Sequence, residues 1–272
     1  MNRERVALVT GVSSGIGRAI ATLLSAQGFR VFGTVRHLPE PGPESSHIEF
    51  VRLEVRDEPS IASAVRFVLD QAGRIDALIN NAGYALIGAL EETSLEEARD
   101  LFETNFFGVL RLTQAVLPLM RKQKYGRIVN IGSAAGFIPA PYQGIYSASK
   151  HALVGYSESL DHEVRQFGIR ISVVEPGFTR TNINKNAHLA DHLIADYAAD
   201  RDHVIQTLRE KNANGADPAQ VASAVLHALT SSSPRQVYLA GKNARLISLL
   251  RKFAPAGVFD KGLRKQFGLA GV

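Results

Sequence analysis

The run Val6 to Thr10 is short and apolar. It breaks off into Thr10-Gly11-Val12-Ser13-Ser14-Gly15-Ile16-Gly17, and a helical pattern follows at once. A buried strand, a glycine turn and a helix in immediate succession leave few folds open. The helix shows apolar residues at Ile16, Ala19, Ile20, Leu23 and Leu24, and Gly28 stands where it should stop. The turn itself reads two ways. Gly11 to Gly15 spells the G-x-S-x-G elbow of a serine hydrolase, with Ser13 as nucleophile. Gly11, Gly15 and Gly17 spell a G-x-x-x-G-x-G turn that lets a pyrophosphate approach the open amides of a helix N-terminus. An elbow draws part of its oxyanion hole from a loop after an earlier strand. Ser13 follows the first strand of this chain, which disfavours the elbow. The spacing also departs from G-x-G-x-x-G, so the motif alone does not separate a dinucleotide seat from a plain tight turn.

The rest of the chain repeats the same alternation. Strands are expected at Arg30–Val35, His47–Val55, Ala77–Asn80, Arg127–Gly132, Arg170–Val174 and Gln236–Ala240. Helices are expected at Pro59–Ala72, over most of Ser94–Lys122, at Tyr146–Gln166 and from Asp217-Pro218 to Thr230. This order predicts an α/β, Rossmann-type fold, a doubly wound parallel sheet of about seven strands with helices on both faces. No repeat or low-complexity linker divides it, so residues 1–272 read as one domain.

Composition removes other classes. Hydrophobic residues at 45% and charged residues at 21% suit a soluble globular domain. There is no cysteine, so disulfides, thiolate nucleophiles and cysteine metal sites are excluded. The N-terminal apolar run is too short for a signal peptide and no stretch reaches eighteen apolar residues, so the expected location is cytoplasmic. The net charge of +5 is uneven: from Arg235 to Phe267 eight Lys or Arg face one acid, Asp260. No nucleic-acid motif accompanies that excess.

Tyr146 and Lys150 stand four apart at the start of a predicted helix, so both fall on one face. A free tyrosine has a pKa of about 10, and a nearby ammonium lowers it; reaching pH 7 takes roughly 4 kcal/mol. Alone, such a pair is an ordinary surface contact. In combination it is more. Thr10 to Gly17, then Asn80-Asn81-Ala82-Gly83 after the fourth strand, Asn105, Ser133 after the fifth, Tyr146-x-x-x-Lys150, and Pro176-Gly177 after the sixth together resemble the classical short-chain dehydrogenase/reductase family. The resemblance covers roughly residues 5 to 240. The flanking features look most like the branch of 17β-hydroxysteroid dehydrogenase type 1 and the retinol-reducing enzymes.

The resemblance implies roles. Tyr146 is the general acid of carbonyl reduction, and Lys150 holds the nicotinamide ribose and lowers the pKa of Tyr146. Ser133 orients the substrate oxygen, and Asn105 holds a water of the proton relay. Gly11, Ser13, Ser14, Gly15, Ile16 and Gly17 form the pyrophosphate turn. Asn81, Ala82 and Gly83 line the adenosine side, and Pro176, Gly177 and Thr179 flank the nicotinamide. The family commonly has Asp after the third strand, contacting adenine. Here Glu54, followed by Val55, stands in that place, a departure from the family's pattern. No metal is implied, because the cofactor supplies the hydride.

An NADH-preferring site offers a carboxylate about twenty residues past the glycines. This chain has no acid between Arg30 and Pro39, and Arg36 stands in that region. An NADPH preference is therefore expected, with Arg36 on the extra phosphate. A lid is expected at about residues 181–212, where Ile183, Leu189, Leu193, Ile194 and Tyr197 suit an apolar ketone or aldehyde, and equally a helix pair packed on the core. Phe137, Ile138, Pro139 and Tyr142 are expected to add an apolar wall. His188 and His192 stand i, i+4 on what reads as a helix, a spacing that can hold zinc but lacks the Glu of H-E-x-x-H. The tail, about 242–268, alternates apolar and basic residues. Capping of the cleft or packing in an interface is favoured over weak contact with an anionic membrane. A homodimer or homotetramer is expected by resemblance. The function expected is NADP(H)-dependent interconversion of a hydrophobic carbonyl and its alcohol; the alternatives are a 3-oxoacyl thioester reductase, an NADPH-sensing regulator without turnover, and a serine hydrolase.

Overall fold

A computed structural model describes residues 4–40, 48–181, 183 and 187–269. Seven strands form one parallel sheet: β1 (Arg5–Thr10), β2 (Phe29–Val35), β3 (Glu49–Arg52), β4 (Ala77–Asn80), β6 (Gly126–Ile131), β7 (Ile169–Pro176) and β9 (Val237–Ala240). Their order across the sheet is β3-β2-β1-β4-β6-β7-β9. The chain winds outward from β1 to β3, then returns to place β4 on the other side of β1. That reversal opens a crevice at the carboxyl ends of β1 and β4, the place where open α/β sheets bind ligands.

Helices cover both faces because the strands are apolar on both sides. On one face α1 (Gly15–Ala26) and α7 (Pro218–Thr230) bury Ile20, Leu24, Val225 and Leu229 against the sheet. On the other, α2 (Glu58–Ala72), α4 (Gly108–Gln123) and α5 (Gly144–Val164) bury Val65, Val68, Leu112, Val116 and Leu160. Each such side chain contributes roughly 1.5–3 kcal/mol on burial. Local signals start and stop the helices. Asp57 caps α2 through Ser60 N, Gly73 ends it in the left-handed region, and Asp217 caps α7.

Buried carboxylates pin the base of the sheet. Asp76 accepts from Val6 N at 2.9 Å and pairs with Arg74. Asp161, fully buried on α5, accepts from Ile171 N, Arg165, Arg170 and Gln236. Burial works against that charge, but the hydrogen bonds from Arg170, Ile171 N and Arg165 outweigh it and lower the Asp161 pKa.

Several expectations are corrected here. The third strand is shorter than His47–Val55: it spans Glu49–Arg52, and His47 lies outside the described residues. The helix expected over Ser94–Lys122 is three pieces: α3 (Leu95–Phe102), a π turn Glu103–Phe107, and α4. The extra residue in the π turn shifts the apolar stripe between α3 and α4. A small parallel pair, β5 (Leu86–Ile87) and β8 (His188–Leu189), was not foreseen. It puts His188 on a strand, so the His188/His192 spacing does not gather both rings on one helix face, and His188 packs on Tyr84 with ring centres 4.9 Å apart. Among the described residues no group of His, Cys, Asp or Glu is arranged to hold a metal. The expected lid contains β8 and α6 (Ala198–Ala213); residues 182 and 184–186 fall outside the described residues. The tail forms two helices, α8 (Lys242–Phe253) and α9 (Ala256–Gln266).

Candidate active site

The glycine turn has the conformation that its composition predicts. Gly11 and Gly15 have φ of 70° and 59°, a region L side chains rarely adopt. A Cβ on Gly17 would overlap the Gly11 carbonyl oxygen, so the turn and α1 approach each other too closely for any side chain. Thr10 and Asn81 lock the turn to the end of β4. Thr10 Oγ1 accepts from Asn81 N at 2.8 Å and Ala82 N at 2.9 Å, while Asn81 Nδ2 donates back to the Thr10 and Gly11 carbonyls. Ser14 begins α1 without a side-chain cap, and no acid stands in the first turn. Ser13 and Ser14 are exposed beside these amides. An uncapped helix N-terminus behind a glycine turn fits a pyrophosphate.

Across the crevice, the loop after β6 and the start of α5 carry the reacting groups. Ser133, Tyr146 and Lys150 line one pocket with Ile16, Asn81, Gly83, Pro176, Gly177 and Thr179. These nine sequence-selected residues therefore meet from five separate stretches of chain: the start of α1, the loops after β4 and β6, the first turns of α5, and the end of β7 with the loop after it. Tyr146 and Lys150 are each 7% exposed. Lys150 Nζ donates to the Ile131 carbonyl at 2.9 Å and lies 5.8 Å from the centre of the Tyr146 ring. Ser133 Oγ accepts from Ala135 N at 3.2 Å, which turns the loop after β6 back toward α5.

The acidity of the pair differs from expectation. Burial raises the Tyr146 pKa, and a hydrogen bond with Ser133 works the other way without reversing it. Burial also pushes Lys150 down to about 8. The expected lowering of Tyr146 by Lys150 is thus not what the chain by itself sets up. The ammonium spends a hydrogen bond on Ile131 O, and desolvation dominates both groups. The site holds a neutral phenol, which suits a proton donor.

Other predicted residues stand elsewhere. Asn105, in the π turn, is 1% exposed and exchanges two hydrogen bonds with the Tyr84 backbone, at 2.9 and 3.0 Å. It fastens the loop after β4, and its side chain does not line the pocket. Val55 is a core residue against Gly108, so its side chain does not face the crevice. The Glu54 carboxylate closes a local turn by accepting from Arg56 N at 3.2 Å. Arg36, just past β2, is exposed and has no hydrogen bond or ion pair among the described residues. Thr179 Oγ1 donates to the Gly177 carbonyl at 3.0 Å. Of the proposed apolar wall, only Ile138 lines the pocket.

Sequence reasoning missed two amides. Gln143 and Asn212, 6% and 7% exposed, both line the pocket. Gln143 is three residues before Tyr146, so helical spacing alone places it near; it begins α5 without capping it. Asn212 lies in the last turn of α6, and its Nδ2 is buried with no hydrogen-bond partner among the described residues. The tail also reaches the pocket through Ile247 and Phe267. The expected lid segment is held on its far side by three acids. Glu92 accepts from Ile194 N at 2.8 Å and pairs with Arg201, Glu97 accepts from Asp191 N, and Glu91 accepts from Tyr197.

Comparison with known proteins identifies relatives of the whole chain. The family profile described as short chain dehydrogenase matches residues 5–191. A 3-ketodihydrosphingosine reductase of Bacteroides thetaiotaomicron is 38% identical over 234 residues, 85% of this chain and 86% of that protein. A short-chain dehydrogenase of Streptomyces avermitilis superposes with a TM-score of 0.81 at 36% identity, covering 95% of this chain and 98% of the other. The structure titled ElxO with NADP bound superposes at 0.74 with 26% identity, over 89% of this chain and 99% of the other.

Proposed function

This chain belongs to the short-chain dehydrogenase family, and from that premise we propose that it is an NADPH-dependent reductase of an apolar ketone carrying a second oxygen. The nicotinamide cofactor supplies the hydride when bound. The chain's own residues do the rest. Burial keeps the Tyr146 phenol protonated, so it can give its proton to the carbonyl oxygen as negative charge develops there. The Ser133 hydroxyl, hydrogen-bonded to the same phenol, orients that oxygen beside it. Lys150, still largely protonated at neutral pH, stabilises the phenolate left behind and holds the cofactor ribose. The observation that carries the reading is that Tyr146, Lys150 and Ser133 meet in one pocket beside the glycine turn.

Arg36 supports NADPH over NADH. It is exposed and unpaired among the described residues, beside a crevice edge that has no carboxylate from Arg30 to Pro39. The pocket supports the substrate class. Ala135, Ile138, Phe178 and Leu208 make it apolar, while Gln143 and Asn212 add two amides. A buried donor left unpaired, such as Asn212 Nδ2, costs about 1–3 kcal/mol, which a substrate oxygen would recover. The Bacteroides relative is likewise named for reduction of a ketone.

NADPH oxidation followed with long-chain 3-oxo esters, methyl ketones of equal length, retinal and a steroid ketone tests the reading. The 3-oxo esters should turn over best. Asn212→Leu should raise their KM about tenfold and leave that of the methyl ketones nearly unchanged. Tight NADPH binding with no turnover of any carbonyl would instead favour a nucleotide sensor.

A further inference from the structure

Helices α8 and α9 form a hairpin with two unlike sides. The inner side closes the pocket: Ile247 and Phe267 line it, and Leu263 and Phe267 are buried. The outer side is apolar and bare. Leu246, Leu249, Leu250 and Phe253 recur at i, i+3, i+4 and i+7, so they occupy one arc about 100° wide on α8. Their exposures are 57, 57, 48 and 72%, and Val258 at the start of α9 is 63% exposed. Contiguous exposed apolar surface of this kind marks a contact site.

Charge selects the occupant. The hairpin carries Lys242, Arg245, Arg251, Lys252, Lys261, Arg264 and Lys265 against one acid, Asp260. A second copy docking by two-fold symmetry would match this patch with itself and bring the same cations together. An anionic headgroup layer supplies the opposite charge, and the leucine stripe fits the boundary between headgroups and acyl chains. The Lys252 ammonium and the Arg251 guanidinium lie over the rings of Phe253 and Phe259, at 5.5 and 5.2 Å, so basic and aromatic groups interleave on the hairpin, the composition of an interfacial helix. Among the described residues no helix is long and apolar enough to cross a membrane, so the fit is with a helix lying in the interface plane.

We infer that the outer face of the α8–α9 hairpin rests on an anionic lipid surface while its inner face closes the pocket. An apolar carbonyl compound dissolved in that surface would then reach the pocket beside the hairpin without crossing bulk water.

Flotation of the full chain with phosphatidylcholine vesicles, with and without phosphatidylglycerol, tests this. The bound fraction should be about tenfold higher on the anionic vesicles and should fall steeply at about 0.5 M salt. Leu250→Glu with Phe253→Glu should abolish binding, and Lys252→Glu with Lys261→Glu should weaken it about tenfold or more. Both variants should keep NADPH turnover of a water-soluble ketone. The second alters only exposed charge, so it remains informative if the first fails to fold. Equal binding to both vesicle types, no binding to either, or undiminished binding by the charge variant would overturn the inference. A lower oligomeric mass for either variant would also overturn it, by assigning the face to a second copy.

Discussion

Lys150 Nζ donates to the backbone carbonyl of Ile131, the last residue of β6, at 2.9 Å. That bond fixes the ammonium between the sheet and the Tyr146 ring, in a setting dry enough to bring its pKa to about 8. Tyr146 is shifted the opposite way, upward, by its own burial and despite Ser133. The two groups of the site therefore titrate in separate ranges, and the lysine is the one that loses its proton first.

This order sets the alkaline limb of the reaction. The kcat/KM for NADPH in the reductive direction reports the free enzyme. It should hold steady below pH 8 and fall above it as Lys150 deprotonates. Whatever activity Lys150→Arg retains should lack that limb, because guanidinium stays protonated. A pH profile from 6 to 10 on both proteins checks this.

Glu175 is another buried acid, with a different consequence. It lies one residue before Pro176, and Gly132 and Gly136 leave the room its side chain occupies. Its Oε1 is buried without a hydrogen-bond partner among the described residues. Burial, with the charge of Glu158 adding to it, pushes its pKa up to about 7. A raised carboxyl stabilises the fold fully below its unfolded value of about 4.5, and that contribution is lost as pH rises through 7. The loss amounts to about 3 kcal/mol at pH 8. Urea melts should show the wild type weakening between pH 5 and 8. Glu175→Gln should be flatter over that window and more stable at pH 8.

Much of this architecture is legible in the sequence because its causes are local. Strand ends, glycine stops and proline starts each depend on a few neighbouring residues, and β4 begins and ends as expected. The glycine turn, Tyr146 and Lys150 stand out only in combination, since each short spacing taken alone is also that of a plain turn or a surface contact. The π turn at Glu103–Phe107 is not legible, since one added residue hides inside an apolar pattern read as continuous. Nor is the β5–β8 pair, whose two strands have two residues each and stand about a hundred positions apart. Asn212 and Gln143 escaped because their meaning comes from a shared pocket, which no spacing records. Tyr146 shows a subtler limit. Charge proximity is visible in an i, i+4 pair, but the burial that outweighs it is a property of the whole fold.

Cofactor choice should follow the edge of β2. Val35→Asp with Arg36→Ala removes a guanidinium and supplies the carboxylate that an NADH ribose would meet. The ratio of kcat/KM for NADPH to that for NADH should drop by about 10- to 100-fold, the worth of a charge-assisted pair. Steady-state kinetics with both nucleotides measures it.

The central claim is that the Tyr146 phenol delivers the proton, and single-turnover reduction by Tyr146→Phe measures that most directly. With NADPH bound and a 3-oxo ester mixed in, the variant should bind nucleotide with unchanged affinity and reduce the ketone about 10²- to 10⁴-fold more slowly than wild type. A rate within a few-fold of wild type, at the same NADPH affinity, would contradict the account.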